Sequence, residues 1–194
     1  MTNSNAPCNT GTATQLCAYT AAVLSQMVSV IQPYLSERQS EYATHVGAHI
    51  RHIIEHYDTL AQSIMAGNVS KEAVCSADYD ARERSIEVET NPQEAIRRIG
   101  LIDAVFGSRS GLDDAAMLQV VHVFTRGGLR GEYNFCTPST LAREFMFLNS
   151  HATHHFAILQ GYARERGQTL GFGVGKAPAT VAHEQRLAKG MVAA

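Results

Sequence analysis

Four stretches of this chain carry apolar residues at three- and four-residue spacing, and each is fenced by residues that begin or end helices. In the first, Leu16, Val23, Met27, Val30, Ile31 and Tyr34 predict a helix from about Ala13 to Leu35, ending near Pro33. Ser36, with Gln39 three residues on, reads as a capping box opening a second long helix. That helix runs to about Ala66 and stops at Gly67-Asn68. Asn91-Pro92-Gln93-Glu94 supplies a cap, a proline at the first helical position and a glutamate behind it. Ala95, Ile96, Ile99, Ile102, Val105 and Phe106 carry the third helix from there, ending before Gly107. Thr137-Pro138 predicts the start of the fourth, which extends to about Arg166 and stops at Gly167.

Between the third and fourth helices, Met117 to Thr125 is apolar and β-branched, and Tyr133 to Cys136 follows after Arg126-Gly127-Gly128. That is a hairpin pattern. The expected fold is therefore all-α: an antiparallel up-down four-helix bundle with a short β-hairpin inserted before the last long helix. Residues 1–12 read as a flexible leader, 13–182 as the bundle domain and 183–194 as a tail with a marginal helix after Pro178.

Composition narrows the function classes. The 194 residues are 45% hydrophobic and 18% charged, a globular balance sufficient for one core. Sixteen basic against 18 acidic residues leave a net charge of -2, with no excess that would favour nucleic acid or an anionic membrane. No apolar run approaches the roughly 20 residues of a membrane span, and the N-terminus lacks a signal-peptide pattern. A cytoplasmic protein is expected. Cys8, Cys17, Cys75 and Cys136 are far apart in sequence, which suits neither a disulfide framework nor a thiolate zinc site.

The nine histidines are unevenly placed, with seven in two short segments. On the second helix, His45, His49, His52 and His56 fall within an arc of about 60° at roughly 100° per residue. Ile53, Tyr57, Leu60 and Ile64 lie beside that arc, while Arg51 and Glu55 fall on the far side. On the fourth helix, His151 and His155 are four apart and so lie one above the other. Phe145, Leu148, Ala152 and Leu159 flank them, and His154 points elsewhere.

Two imidazoles at this spacing can reach one cation, and a third from a facing helix completes a three-nitrogen site with a position left for water or substrate. All-imidazole ligation suits zinc, nickel, copper or ferrous iron alike. The chain has no H-E-x-x-H motif, which argues against a zincin protease. It also has no glutamate followed three residues later by histidine, so the di-iron carboxylate bundle pattern is missing.

These features together resemble the DinB-like (DinB/YfiT-like) metalloenzyme superfamily. The resemblance is carried by Val46-Gly47-Ala48-His49-Ile50-Arg51-His52-Ile53-Ile54-Glu55-His56-Tyr57, by Asp78-Tyr79-Asp80-Ala81-Arg82-Glu83-Arg84, and by Leu141-Ala142-Arg143-Glu144 followed by Ser150-His151-Ala152-Thr153-His154-His155-Phe156-Ala157. Gly171-Phe172-Gly173-Val174 continues it, although an extra Gly-Lys before Ala177-Pro178 departs from the expected pattern. It implies a four-helix bundle, often dimeric, holding a divalent metal on three histidines. Carried onto this chain, the pair is His151 and His155, and the second-helix ligand is His52, with His49 and His56 as alternatives. It also implies a small-molecule substrate, with thiol-dependent transferases and isomerases in which the metal binds a low-molecular-weight thiol.

A centre of this kind needs a proton acceptor or orienting carboxylate, and Glu144, two turns before His151, is the nearest candidate. Its other reading is a surface partner of Arg143. Arg82 or Arg84 would clamp a substrate carboxylate if the charged connection at 68–90 folds over a bundle end. Tyr57 and Tyr162 would orient substrate or simply pack, and Cys17 and Cys136 read as buried small hydrophobes. Gly171 to Lys176 lacks phosphate-loop spacing, and His122 and His183 read as incidental. The leading expectation is a metal-dependent enzyme of thiol-transferase or hydrolase type. The alternatives are a binding or stress-response module whose metal is structural or absent, and an interaction protein switched by histidine protonation.

Overall fold

The computed structural model describes residues 11–36, 38–69, 75–107 and 111–192. Cys8 and the first ten residues of the expected leader lie outside them. The chain is mostly helical with one small sheet. Helix α1 (Thr12–Ile31) has no side-chain cap of its own, and its Ala13 N–H donates instead to Asp114 Oδ1 at 2.7 Å. Helix α2 (Gly47–Val69) follows a single helical turn (Gln39–Glu41) and one turn of π-helix (Tyr42–Val46). Strand β1 (Cys75–Asp78) and the short helix α3 (Ile86–Thr90) come next, then α4 (Pro92–Phe106). Strands β2 (Val120–Gly127) and β3 (Tyr133–Thr140) lead into α5 (Leu141–Glu165), and α6 (Pro178–Val192) closes the chain.

The four long helices α1, α4, α2 and α5 pack in a ring, each against two others. Their facing stripes form one core in which Met27, Ile53, Tyr57, Phe106, Phe145 and Phe156 are almost fully buried. Together with the turn after it (Thr12–Tyr34), α1 is long enough, and within it an 18-residue stretch apolar enough, to cross a membrane by length and composition, contrary to the reading of the apolar runs. Its polar residues Gln15, Thr20, Ser25, Gln26 and Ser29 are spread among apolar ones. In the fold, its apolar stripe of Leu16, Val23, Met27 and Val30 is buried against α4 and α5.

Several sequence expectations are corrected. Ser36 caps nothing: the residue preceding the turn at Gln39 is Arg38, without a side-chain cap. Gly67 and Asn68 fall inside the last turn of α2. Asn91 does cap α4, accepting from the Gln93 and Glu94 N–H groups. The connection at 68–90 contains a strand, so the fold is not purely α. β1 pairs parallel to β2, with Cys75 opposite Val121, and β2 pairs antiparallel to β3. Thr137 and Pro138 do not begin the last helix. They lie in β3 opposite Val123 and His122, and Thr140 is the cap, its Oγ1 accepting from Arg143 N–H. Pro138, with no N–H, is tolerated because β3 is an edge strand. Helix α6 runs across the boundary expected at 182–183.

What positions the functional residues is a strap laid across α2. On the face expected to meet solvent, Glu55 is only 3% exposed and accepts from the Ser85 N–H at 2.7 Å. Arg51 pairs with Glu89 of α3, and the Tyr42 hydroxyl donates to Val88 O. The fit is close enough that a Cβ on Gly47 would lie 1.8 Å from the Glu89 carbonyl oxygen. Glycine at 47 is therefore a contact requirement.

Candidate metal centre

Helices α2 and α5 lie side by side and bring histidines from both segments to one seam. The rings of His52, His151 and His155 form a nearly equilateral triangle, with centroid separations of 4.9, 4.7 and 4.7 Å. One nitrogen from each lies within 4.8 Å of the other two, so the three could hold a single metal ion. All three are half-buried. Burial pushes the pKa of His52 down to about 3 and those of His151 and His155 to about 4, with neighbouring imidazoles and Arg82 adding to the effect. The rings are thus neutral at physiological pH, the state in which imidazole binds a cation.

The fit to a cation has a direct sign. His151 Nε2 is buried and has no hydrogen-bond partner. Buried polar atoms ordinarily find one, and an unpartnered nitrogen among converging lone-pair donors fits a cation. Three neutral nitrogens on two rigid helices are the donor set of an open zinc-type site.

The other histidines separate clearly. His49, an alternative ligand in the sequence, stands beside the triangle, its Nδ1 2.9 Å from His155 Nδ1. One ring must donate and the other accept. With His155 donating, its Nε2 lone pair is free, and His49 acts as the outer acceptor that fixes tautomer and ring orientation. His56, the second alternative, is 2.6 Å from the His52 carbonyl through Nδ1. A carbonyl only accepts, so His56 Nδ1 carries the hydrogen and the neutral ring's Nε2 is bare. Burial lowers its pKa to about 4, opposed by that backbone bond. His45 leaves the arc expected for it. It falls in the π turn, whose wider step shifts the helical phase, and it is exposed against the Tyr162 ring at 4.6 Å. His154 is exposed beside His155, His122 sits in β2 and His183 is exposed on α6.

The strap brings Arg82 onto the cluster. Asp78 Oδ1 accepts from the N–H groups of Asp80 and Ala81, folding the chain after β1. Arg84 then takes a left-handed conformation (φ 56°), which turns the backbone toward Ser85. Arg82 Nη1 makes a short contact with His52 Nδ1, whereas Arg84 is exposed.

Glu144 is neither a surface group nor one of the three cation-facing residues. It is 5% exposed, with Oε2 accepting from the Tyr79 hydroxyl at 2.7 Å and Oε1 from the Ser139 hydroxyl at 2.6 Å. The Tyr79 ring stacks on His56 with centroids 5.4 Å apart and 19° between planes. Glu144 therefore positions Tyr79, which supports His56. Those three residues, with Ser139, Phe147 and Val123, line an open cavity of about 470 Å³ between the sheet and α5.

Tyr57, a candidate for substrate orientation, is corrected to the core: 1% exposed, it donates to Asn149 Oδ1 at 2.8 Å and lines no part of the cavity. Its position beside the histidine arc in sequence points inward, since the arc borders the core stripe. Tyr162 packs between His45 and Arg166 at the other end of the seam. Cys17 is buried as expected, but Cys136 is exposed, in an edge strand whose residues from Tyr133 to Pro138 are all exposed. Sequence reasoning overlooked Tyr79. Its residue type and place in a charged loop gave no sign of the stack on His56, which depends on β1 pairing with β2. Comparison with known proteins yields no matching family model, curated relative or solved structure.

Proposed function

We propose that this chain is a divalent-metal-dependent enzyme of thiol-transferase or hydrolase type, built on a DinB-like four-helix bundle, with His52, His151 and His155 as the ligands. The observation that carries the reading is the convergence of these imidazoles from two separate helices, with His151 Nε2 buried and unpartnered among them. The ring of four long helices and the sequence resemblance support it.

A cation of this class, when bound, lowers the pKa of a coordinated water or thiol and so supplies a nucleophile near neutral pH. The remaining roles belong to the protein. His56 lines the cavity beside the triangle, its ring centroid 4.5 Å from that of His151, and as a neutral ring whose Nδ1 donates to the His52 carbonyl it keeps Nε2 as a hydrogen-bond acceptor. Tyr79 and Glu144 hold His56 in register, and His49 orients His155. The cavity receives the substrate, with Phe147 and Tyr79 offering apolar faces and Ser139 a hydroxyl.

The test is elemental analysis of untagged protein after loading with zinc, nickel, copper or ferrous iron and desalting. One ion per chain in wild type and none in His151→Ala supports the reading. No retained ion in wild type overturns it. Thermal unfolding with and without chelator separates an open catalytic site, which leaves the bundle folded, from a structural ion coupled to folding.

A further inference from the structure

Arg82 is in an uncommon position for a cation. Its side chain is partly buried, and its Nε is buried with no hydrogen-bond partner. Among the described residues, the ion pairs involve Arg38, Arg51, Arg97, Arg98 and Lys176, and none joins Arg82 to a carboxylate. The nearby acids are committed elsewhere: Glu55 Oε1 to the Ser85 N–H, and Asp80 Oδ2 to the Arg126 N–H at 2.6 Å. Arg82 Nη1 also lies 3.2 Å from His56 Nδ1, but that nitrogen already bears the hydrogen given to the His52 carbonyl. Two donors facing each other form no bond. Among the described residues, the one acceptor Arg82 has found is His52 Nδ1.

We propose that Arg82 is a resident competitor for the metal centre: its guanidinium occupies His52 in the metal-free protein and must withdraw before a divalent cation can be held there. The inference rests on the metal-centre reading above and adds the residue that sets its affinity.

The tautomers of His52 require this. While Arg82 donates to Nδ1, that lone pair is taken, and the neutral ring carries its hydrogen on Nε2. Ligation through Nδ1 displaces the guanidinium directly. Ligation through Nε2 moves the ring hydrogen to Nδ1, where it meets an Arg82 N–H head on. Both routes end with Arg82 detached from His52. Like charge adds to the effect, since a guanidinium and a doubly charged ion sharing one imidazole repel in a poorly solvated seam. The strap permits the withdrawal, because it stays tied to α2 by Ser85 and Glu89, and to the π turn by Val88, when Arg82 leaves His52. The affinity measured for a cation is then the intrinsic affinity reduced by the fraction of protein in which Arg82 is already away.

Full-length metal-free wild type, Arg82→Gln, Arg82→Lys and His151→Ala are titrated with zinc against a chelating indicator, with thermal unfolding confirming that each is folded. Removing the competitor raises apparent zinc affinity, by about tenfold or more in Arg82→Gln if the detached state is a minor one. Arg82→Lys keeps the charge but loses the planar fork and falls between. Long-range proton–nitrogen NMR of the histidine rings gives a readout independent of affinity. His52 Nδ1 should show a bare, accepting nitrogen in metal-free wild type and lose the signature of an arginine partner on zinc addition. Folded Arg82→Gln and Arg82→Lys that bind zinc no more tightly than wild type overturn the proposal while the metal centre stands. If no protein in the set binds zinc, both fall. If only the Arg82 variants bind, the competition is stronger than proposed, and both are supported.

Discussion

Two polar clusters sit in the same α2–α5 seam, and they end differently. In one, Tyr57 donates to Asn149 Oδ1, and Asn149 Nδ2 donates to Thr20 Oγ1 at 3.0 Å, all three residues being buried. Every strong donor and acceptor pointed inward there has a protein partner. In the other, His52, His151 and His155 converge with nitrogens facing nitrogens, one of them orphaned, and a guanidinium whose Nε is unpaired. A buried polar network raises stability only when it is closed, and an open one costs stability unless something else completes it. The first cluster is structural. The second is open, and its three imidazoles could hold a metal ion.

The contrast can be broken by exchanging effects between the clusters. The largest expected effect is on the open one: His151→Ala should lower metal affinity by more than the roughly 10–100-fold that loss of an outer hydrogen-bond partner costs. Its thermal midpoint without metal should barely move, since an unpaired atom is removed. Titration with a chelating indicator and a melting curve report both. Asn149→Ala should do the reverse, leaving metal affinity near wild type. Denaturant unfolding should then show a loss of about 1–3 kcal/mol, because the Tyr57 hydroxyl loses its acceptor in the core. A large change in affinity from Asn149→Ala would show that the two clusters are one unit.

Gly47→Ala tests the strap on the opposite face of α2. A methyl there meets the Glu89 carbonyl, and overpacking of this kind costs about 1–3 kcal/mol. Smaller still, His49→Ala should weaken metal binding about tenfold through loss of the group orienting His155, with little effect on melting.

The least sharp effect is on acid stability. In metal-free protein the buried imidazoles have pKa values of about 3 for His52 and about 4 for His56, His151 and His155. An unfolded chain binds those protons near pH 6.5, so it holds more of them than the fold does between about 6.5 and 3. Stability is therefore level above that range and falls as pH drops through it. Replacing His56 and His151 together should flatten the slope, which urea midpoints at several pH values would reveal.

Part of this was legible in the chain because it is local. His151 and His155 are neighbours on any helix that includes both, and the caps of α4 depend only on Asn91, Pro92 and Glu94. The inward tilt of the second-helix histidines followed from periodicity in the same way. What failed was non-local or broke the period. β1 contributes four residues and pairs with a strand more than 40 residues later, so Cys75–Asp78 carries too little pattern to announce itself. The π turn inserts an extra step that no count at 100° per residue foresees, and His45 is lost from the cluster for that reason.

Residue type and spacing within a few turns are enough to say that helices form, where most of them turn their apolar faces and that histidines line two of them. The packing of the helices set the rest: that His52 can share one ion with the α5 pair while His49 and His56 touch it from either side, that Arg82 rather than Arg84 reaches the cluster, and that Glu144 is spent on Tyr79. Those outcomes depend on the rotation of α2 against α5 and on a strap fixed by contacts between residues far apart in the chain, and periodicity along a single helix is blind to both.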